Sequence, residues 1–115
     1  MKTIQTAISE ICVLTPQGAN FTLPSDFPAF NGHFPNNPVL PAVVMVMMAV
    51  YAITQKEGSK LQLKCMKKAK ITTPISVGDT AEFLICKKGD YYEAIVQKDT
   101  QRCALFQIEL TANKQ

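Results

Sequence analysis

The sequence of 115 residues contains no tryptophan, a single histidine and only five glycines. So little glycine excludes a collagen-like chain, and 47% apolar against 18% charged residues excludes a disordered one. Twelve Lys and Arg against nine Asp and Glu give a formal net charge of +3, too small to indicate a nucleic-acid-binding protein. At roughly 150 residues per domain, we expect one domain over residues 1–115.

Long apolar runs are also missing. The longest covers residues 42–53, well short of the ~20 apolar residues that a membrane-spanning helix needs. The first ten residues lack the apolar stretch of a signal peptide, because Ser9 and Glu10 interrupt it. We therefore expect a cytoplasmic protein without a membrane partner. The four cysteines show no Cys-x-x-Cys spacing and lie in apolar stretches, which predicts free thiols.

The first third of the chain predicts a hairpin and then a long ordered loop. Residues 8–15 are rich in β-branched residues, residues 16–18 supply a turn, and residues 19–23 alternate. Five of the seven prolines fall between Pro24 and Pro41, which excludes a regular helix or a central strand there. Because aromatic and aliphatic residues are interleaved with these prolines, we expect the loop to pack onto the body of the protein.

A helix is predicted from Pro41 to about Lys56, with Pro41 in the first helical turn and Gly58 at the stop. Apolar residues surround this helix, so other elements must enclose it. Strands are predicted over residues 61–71, 80–87, 91–98 and 103–110, with a bulge at Lys67. The pattern indicates an α+β fold in which an antiparallel sheet wraps one apolar helix. Its open edges favour dimerisation through an edge strand.

The single histidine lies in the stretch that leads into this helix, Gly32-His33-Phe34-Pro35-Asn36-Asn37-Pro38-Val39-Leu40-Pro41-Ala42. This stretch resembles the signature of the β-hydroxyacyl acyl-carrier-protein dehydratases of fatty acid synthesis, which read Gly-His-Phe-Pro-Gly-x-Pro-x-x-Pro-Gly at this place. Residues 68–80 are similar to a second block of that family, a basic strand that ends in Pro-Val-x-Pro-Gly-Asp. The resemblance covers roughly residues 19–110 and rests on both blocks together.

The resemblance implies a hotdog fold and removal of water from a (3R)-hydroxyacyl thioester to give a trans-2-enoyl thioester, with no cofactor and no metal. This chemistry needs a base for the α-proton, a donor to the thioester oxygen and an acid for the departing hydroxide. The resemblance makes His33 the base and the backbone N–H of Ala42 the donor, at a helix end that favours negative charge. The residues that it places against the substrate are Phe34, Pro41, Val43 and Met47.

The position of the family's acid differs in this chain. The family has a Glu or Asp on the helix fourteen positions after the histidine, and that position is Met47 here. No carboxylate stands anywhere between Pro41 and Gln55. The alternative proton donors are water, protonated His33 and the phenol of Tyr51, which stands one turn beyond Met47 on the same helix face. A core aromatic with a hydrogen-bonded hydroxyl is the other interpretation of Tyr51.

A cluster of lysines stands on the first strand after the helix, at Lys64, Lys67, Lys68 and Lys70. It is interpreted either as a solvated strand face or as a docking site for an acidic partner. The resemblance implies that the partner is an acyl carrier protein, docked by Lys67, Lys68 and Lys70, with a coenzyme A thioester as the other form of the substrate.

Four functions stay open. The first is a homodimeric dehydratase slowed by the missing acid, a loss that typically costs about 10²–10⁴-fold in rate. The second is one half of a heterodimer, because the histidine and the acid of each family site come from opposite protomers. The third is a non-catalytic subunit that binds acyl thioesters or their carrier protein. The fourth is a hotdog thioesterase, which the absent carboxylate disfavours.

Overall fold

A computed structural model describes residues 2–30 and 38–112. The first part of the chain forms helix α1 (Ile4–Ile11), strand β1 (Cys12–Thr15), strand β2 (Gly18–Thr22), a short 3₁₀ turn (Pro28–Phe30) and helix α2 (Ala42–Glu57). The second part forms strands β3 (Leu61–Ile71), β4 (Thr80–Lys88), β5 (Tyr91–Lys98) and β6 (Gln101–Ala112). Within the described residues these six strands make one antiparallel sheet in the order β1-β2-β4-β5-β6-β3.

The sheet curls around α2. The helix contacts β1 and β3, which are the two edge strands of the sheet, as well as β2 and β4. One helix reaches both edges only if the sheet bends around it. Buried side chains fill the space between them, among them Phe21, Met45, Met48, Ile53, Phe83, Phe106 and Ile108. The α+β architecture and the four strands after the helix are therefore confirmed.

The predicted strand over residues 8–15 is wrong in its first half, because Ile4–Ile11 is a helix. The side-chain oxygen of Thr3 accepts a hydrogen bond from the N–H of Thr6 at 3.0 Å and so caps the first turn. Apolar residues recur at helical spacing in this segment, and Ala7 and Ile8 are buried. The N-cap and the burial of the apolar face stabilise the helix by more than the β-branched side chains favour a strand. The hairpin is confirmed over the shorter strands β1 and β2.

Helix α2 begins one residue later than predicted, since Pro41 is its N-cap and Ala42 its first residue. Gly58 ends it as predicted, with φ of +73° and its N–H donating to the carbonyl of Thr54 at 3.0 Å. Enclosure by other elements is incomplete in the single chain. Val43 is 67% exposed, and the half-buried residues are Met47, Val50 and Tyr51.

Strand β3 forms an edge of the sheet, and within the described residues it pairs only with β6. The predicted bulge at Lys67 is confirmed, because the register shifts between Met66 and Lys68, and a second shift leaves Lys64 unpaired. Apolar side chains on this strand are largely exposed, namely Leu63, Met66 and Ile71. In the part of the chain that the structure describes, no helix has the length and apolar character needed to cross a bilayer.

Candidate functional site

The two sequence blocks that carry the family resemblance meet in space at the entrance to α2. Val39 forms an antiparallel bridge with Ser76. The N–H of Leu40 donates to the carbonyl of Ile75 at 2.7 Å. The end of the proline-rich loop is thus fixed to the turn before β4 immediately before the helix begins.

Asp79 holds that turn together. Its carboxylate oxygen Oδ2 accepts the N–H of Ser76 at 2.8 Å and lies 3.1 Å from the ammonium of Lys98 on β5. Desolvation raises the pKa of Asp79, but the Ser76 N–H and the Lys98 ammonium outweigh it, so the pKa lies below its ordinary value.

The same turn is tied to Leu23, the residue that follows strand β2. The N–H of Leu23 donates to the carbonyl of Asp79 at 3.0 Å, and the N–H of Gly78 donates to the carbonyl of Leu23 at 2.8 Å. Gly78 has φ of +87°, a left-handed conformation that favours glycine. The turn at Val77-Gly78-Asp79 is therefore a fixed support beneath the loop.

Among the described residues, the first N–H groups of α2 have no hydrogen-bond partner. The carbonyl of Pro41 accepts the N–H groups of Val44 and Met45 at 3.1 and 3.2 Å. The N–H groups of Ala42 and Val43 precede these helical bonds and point towards the N-terminal end of the helix. Ala42 is exposed. The backbone predicted to hold a thioester oxygen is thus at a helix end that favours negative charge.

A groove of about 410 Å³ runs along the uncovered side of α2. Three residues predicted from the sequence, Val43, Met47 and Tyr51, line it together. Its other lining residues come from α1, α2 and the start of β3, namely Gln5, Val46, Val50, Thr54, Lys60, Leu61, Gln62 and Leu63. Pro41 and Ala42 are outside this lining. His33 and Phe34 lie outside the described residues.

The groove has no carboxylate among its lining residues. Aliphatic and methionine side chains form most of the wall, which suits an acyl chain. Tyr51 stands one turn beyond Met47 and brings a hydroxyl to the wall. Gln5 of α1 was not predicted as a groove residue, because the helix that carries it was not predicted either.

The predicted lysine cluster divides into two groups. Lys67 lies 3.4 Å from the carboxylate of Glu109 and 5.3 Å from the ring centroid of Tyr91, and Lys64 approaches Glu109 at 3.7 Å. The hydrogen bond and charge of Glu109 raise the pKa of Lys67. Lys68 and Lys70 instead line a small cavity of about 170 Å³ apart from the groove, together with Arg102.

Within residues 2–30 and 38–112, no group of three or more His, Cys, Asp or Glu side chains is placed to hold a metal ion. The four cysteines are unpaired, and Cys103 is buried. The described part of the site therefore offers backbone donors, the phenol of Tyr51, the polar side chains of Gln5, Thr54, Lys60 and Gln62, and apolar contacts.

Solved structures with the same fold include dehydratases and a hydrolase. The chain matches the dehydratase heterocomplex ApeI:P from Xenorhabdus doucetiae with a TM-score of 0.69 and 22% identity, over 81% of this chain and 84% of that one. It matches an uncharacterised protein from Erwinia carotovora subsp. atroseptica with a TM-score of 0.63 and 21% identity, over 88% of this chain and 90% of that one. It also matches an acyl-CoA hydrolase mutant from Staphylococcus aureus with a TM-score of 0.53 and 16% identity, over 93% of this chain and 69% of that one. The predicted hotdog fold is confirmed.

Sequence relatives point to dehydratases. The 3-hydroxyacyl-acyl-carrier-protein dehydratase FabZ of Rhodopseudomonas palustris strain TIE-1 is 31% identical over 71 residues, and strain CGA009 gives the same values. This match covers 54% of the chain and 47% of the relative, so the chain spans about half the length of these curated relatives. A model of the ApeI-like family, described as ApeI dehydratase, matches residues 16–107. The chain therefore belongs to the ApeI-like dehydratase family of hotdog proteins.

Proposed function

We propose that this chain acts in the dehydration of 3-hydroxyacyl thioesters, with the acyl chain lying in the groove along α2. The observation that carries the proposal is the apolar wall of that groove, which begins at Val43, in the first helical turn, where the N–H groups have no hydrogen-bond partner among the described residues. An acyl chain buries apolar surface along the wall. The thioester oxygen then lies at the helix N-terminus, where developing negative charge is favoured.

In the proposed reaction His33 takes a proton from the α-carbon of the substrate. The electron pair of that C–H bond forms the double bond to the β-carbon, and the β-carbon loses its hydroxyl group. A proton from the acid joins the departing hydroxide, so that water leaves and a trans-2-enoyl thioester remains. The N–H of Ala42 stabilises the charge on the thioester oxygen. Phe34 and Pro41 are proposed to line the substrate near this oxygen.

The lack of a carboxylic acid in the groove favours a second candidate function, in which this chain is one subunit of a heterodimeric dehydratase. Met47 stands in the groove at the position of the family acid, and none of the lining residues is a carboxylic acid. A homologous subunit with a Glu or Asp at this position would complete the site that contains His33. The neighbour from Xenorhabdus doucetiae is itself a dehydratase heterocomplex, which supports this candidate. In a homodimer, Tyr51 is the proposed donor.

The carrier of the acyl group is proposed to be acyl carrier protein, with coenzyme A as the alternative, and a cytoplasmic location stays a prediction. The curated relative FabZ is named for an acyl-carrier-protein substrate, which supports the first carrier. Docking of the carrier through Lys67, Lys68 and Lys70 stays a prediction; Lys67 is paired with Glu109, and Lys68 and Lys70 lie outside the groove.

Incubation of the purified protein with a 3-hydroxyacyl carrier-protein thioester tests the proposal, with enoyl product followed by mass spectrometry. We expect slow turnover that falls at least 10²-fold in His33→Ala, since the general base is lost. Tyr51→Phe tests the phenol as acid in the same assay. Turnover that is equal in His33→Ala and the native protein would contradict the assigned base. Saturable binding without turnover would instead indicate a non-catalytic subunit or an incomplete site.

A further inference from the structure

The face of the sheet turned away from α2, here called the outer face, has an aliphatic row at its centre. Leu84 on β4 pairs in register with Ile95 on β5, and Ile95 pairs with Leu105 on β6. Their neighbours along the strands, Phe83 and Val96, are fully buried on the inner face, so the three aliphatic side chains point outwards. Each of the three is half-buried in the single chain. The outer face is therefore not a purely polar surface.

Acidic side chains stand on one half of the outer face. Glu82 lies on β4 and Glu93 on β5, and both line a hollow of about 500 Å³ together with Leu84 and Ile95. The amide of Gln97 donates to Glu82 at 2.6 Å, and the amide of Gln107 donates to Glu93 at 3.2 Å. These neutral donors hold the two carboxylates in place without neutralising their charge.

Basic side chains stand on the other half. Arg102 on β6 and Lys68 and Lys70 on β3 line the cavity of about 170 Å³, with Leu105 beside them. Lys70 pairs in register with Leu105, so the cations continue from the aliphatic row. None of the ion pairs among the described residues includes these three cations. Lys64 and Lys67, at the two bulges of β3, differ from these cations because both form ion pairs with Glu109.

We infer that the outer face binds the outer face of a second copy of this chain. A two-fold axis along the strands, between β5 and β6, sets β4 and β5 of each copy opposite β6 and β3 of the other. Each acidic half then meets a basic half, Ile95 and Leu105 of the two copies pack together at the centre, and Leu84 lies against the aliphatic stem of Lys70. The face is self-complementary, as a two-fold interface requires.

The charge pattern of the outer face also favours a second copy of this chain over an acidic carrier protein as its partner. An acidic carrier that docked on Lys68 and Lys70 across this face would bring like charge towards Glu82 and Glu93. A second copy presents the opposite charge to both halves. The outer face is separate from the groove lining, and the inference does not rest on the proposed function.

Charge reversal tests the interface. The acidic-half variant combines Glu82→Lys with Glu93→Lys, and the basic-half variant combines Lys68→Glu with Arg102→Glu. The acidic-half variant is basic on both halves, and the basic-half variant has two acids and one remaining cation, Lys70, where the native protein has three cations. We therefore expect the assembly mass of each variant alone, in sedimentation velocity at low salt, to be half that of the native protein. An equimolar mixture of the two variants, and one chain carrying all four changes, should both recover the native mass.

The controls separate charge from folding. Lys88→Glu with Asp90→Lys makes the same kinds of change at the exposed β4–β5 turn and should keep the native mass. Circular dichroism checks that each variant is folded. Added salt should weaken the native assembly, since the proposed contacts are partly ionic.

Three results would overturn the inference: native protein with the same mass as both variants, a mixture of variants without mass recovery, or a basic-half variant that loses only carrier-protein binding. Absence of dehydratase activity in a native protein that keeps its assembly mass would count against the proposed function and not against this interface.

Discussion

Asp79 joins three separate parts of the chain beneath the candidate site. Its carboxylate binds the Ser76 N–H and the Lys98 ammonium, and its backbone carbonyl accepts the N–H of Leu23. The segment that contains Ser76 also pairs with the loop that enters α2. The Asp79 side chain therefore supports the segment that holds the helix N-terminus, together with the backbone hydrogen bonds of Leu40 and Gly78.

We expect Asp79→Asn to destabilise the protein by about 1 kcal/mol at neutral pH, because it removes a charge-assisted pair that is partly exposed. The folded-state pKa of Asp79 lies below its ordinary value. Its stabilising contribution is thus present above about pH 4 and is lost as the pH falls through the lower folded-state pKa.

Urea unfolding between pH 2 and pH 7 measures this difference. The native protein should lose more free energy of unfolding on acidification than Asp79→Asn does. Asp99→Asn, at an exposed carboxylate in the β5–β6 turn, is the matched control and should follow the native curve. Parallel curves for the native protein and Asp79→Asn would contradict the assigned role.

At the scale of elements, strands β2 and β4 approach each other unusually closely at Gly18. A Cβ atom added to Gly18 would lie 1.9 Å from the backbone oxygen of Phe83, so one of the two strands must move. We expect Gly18→Ala to lower the free energy of unfolding by about 1–3 kcal/mol or more through this overlap. Gly89→Asn is the control, since nothing lies near a Cβ there and asparagine tolerates its positive φ. Equal urea midpoints for the two variants would contradict the prediction.

Features of the helices and strands that depend on neighbouring residues could be predicted from the sequence, and those that depend on long-range contacts could not. The α2 stop at Gly58 and the strand alternation could be predicted because both depend on local backbone preferences. Helix α1 was missed because its isoleucines also suit a strand. Val43, Met47 and Tyr51 share one helix face, so their meeting was predictable from spacing. The contribution of Gln5 and Leu63 to the same groove depends on long-range packing, which no local pattern encodes.

At the scale of the whole molecule, the single chain leaves the groove side of the sheet open. The groove, the exposed side chain of Val43 and the apolar residues of edge strand β3 lie on the same side of the curled sheet. An unpaired edge beside an apolar groove favours pairing with another hotdog chain. Such a partner would cover the groove and bring its own helix next to this one. The identity of residue 47 in the partner then decides whether the site has an acid.

A complementation experiment tests this arrangement. A chain that carries both His33→Ala and Met47→Glu lacks the base, and the native chain lacks the acid. If base and acid come from opposite subunits, a co-purified pair of the two chains contains one complete site and one dead site. We expect turnover of 3-hydroxyacyl thioester by this pair to exceed that of either chain alone by about 10²–10⁴-fold, the usual effect of a general acid.

The control pair replaces Met47→Glu with Met47→Gln, which keeps the size and polarity of the new side chain but cannot donate a carboxylic proton. Met47 is half-buried in an open groove, so both substitutions leave the new polar group access to water. Native mass spectrometry confirms that the mixed pair has formed. A verified mixed pair that is no more active than the native chain would contradict catalysis across the subunit boundary. Equal gains from the Glu and Gln pairs would show that the added group does not act as an acid.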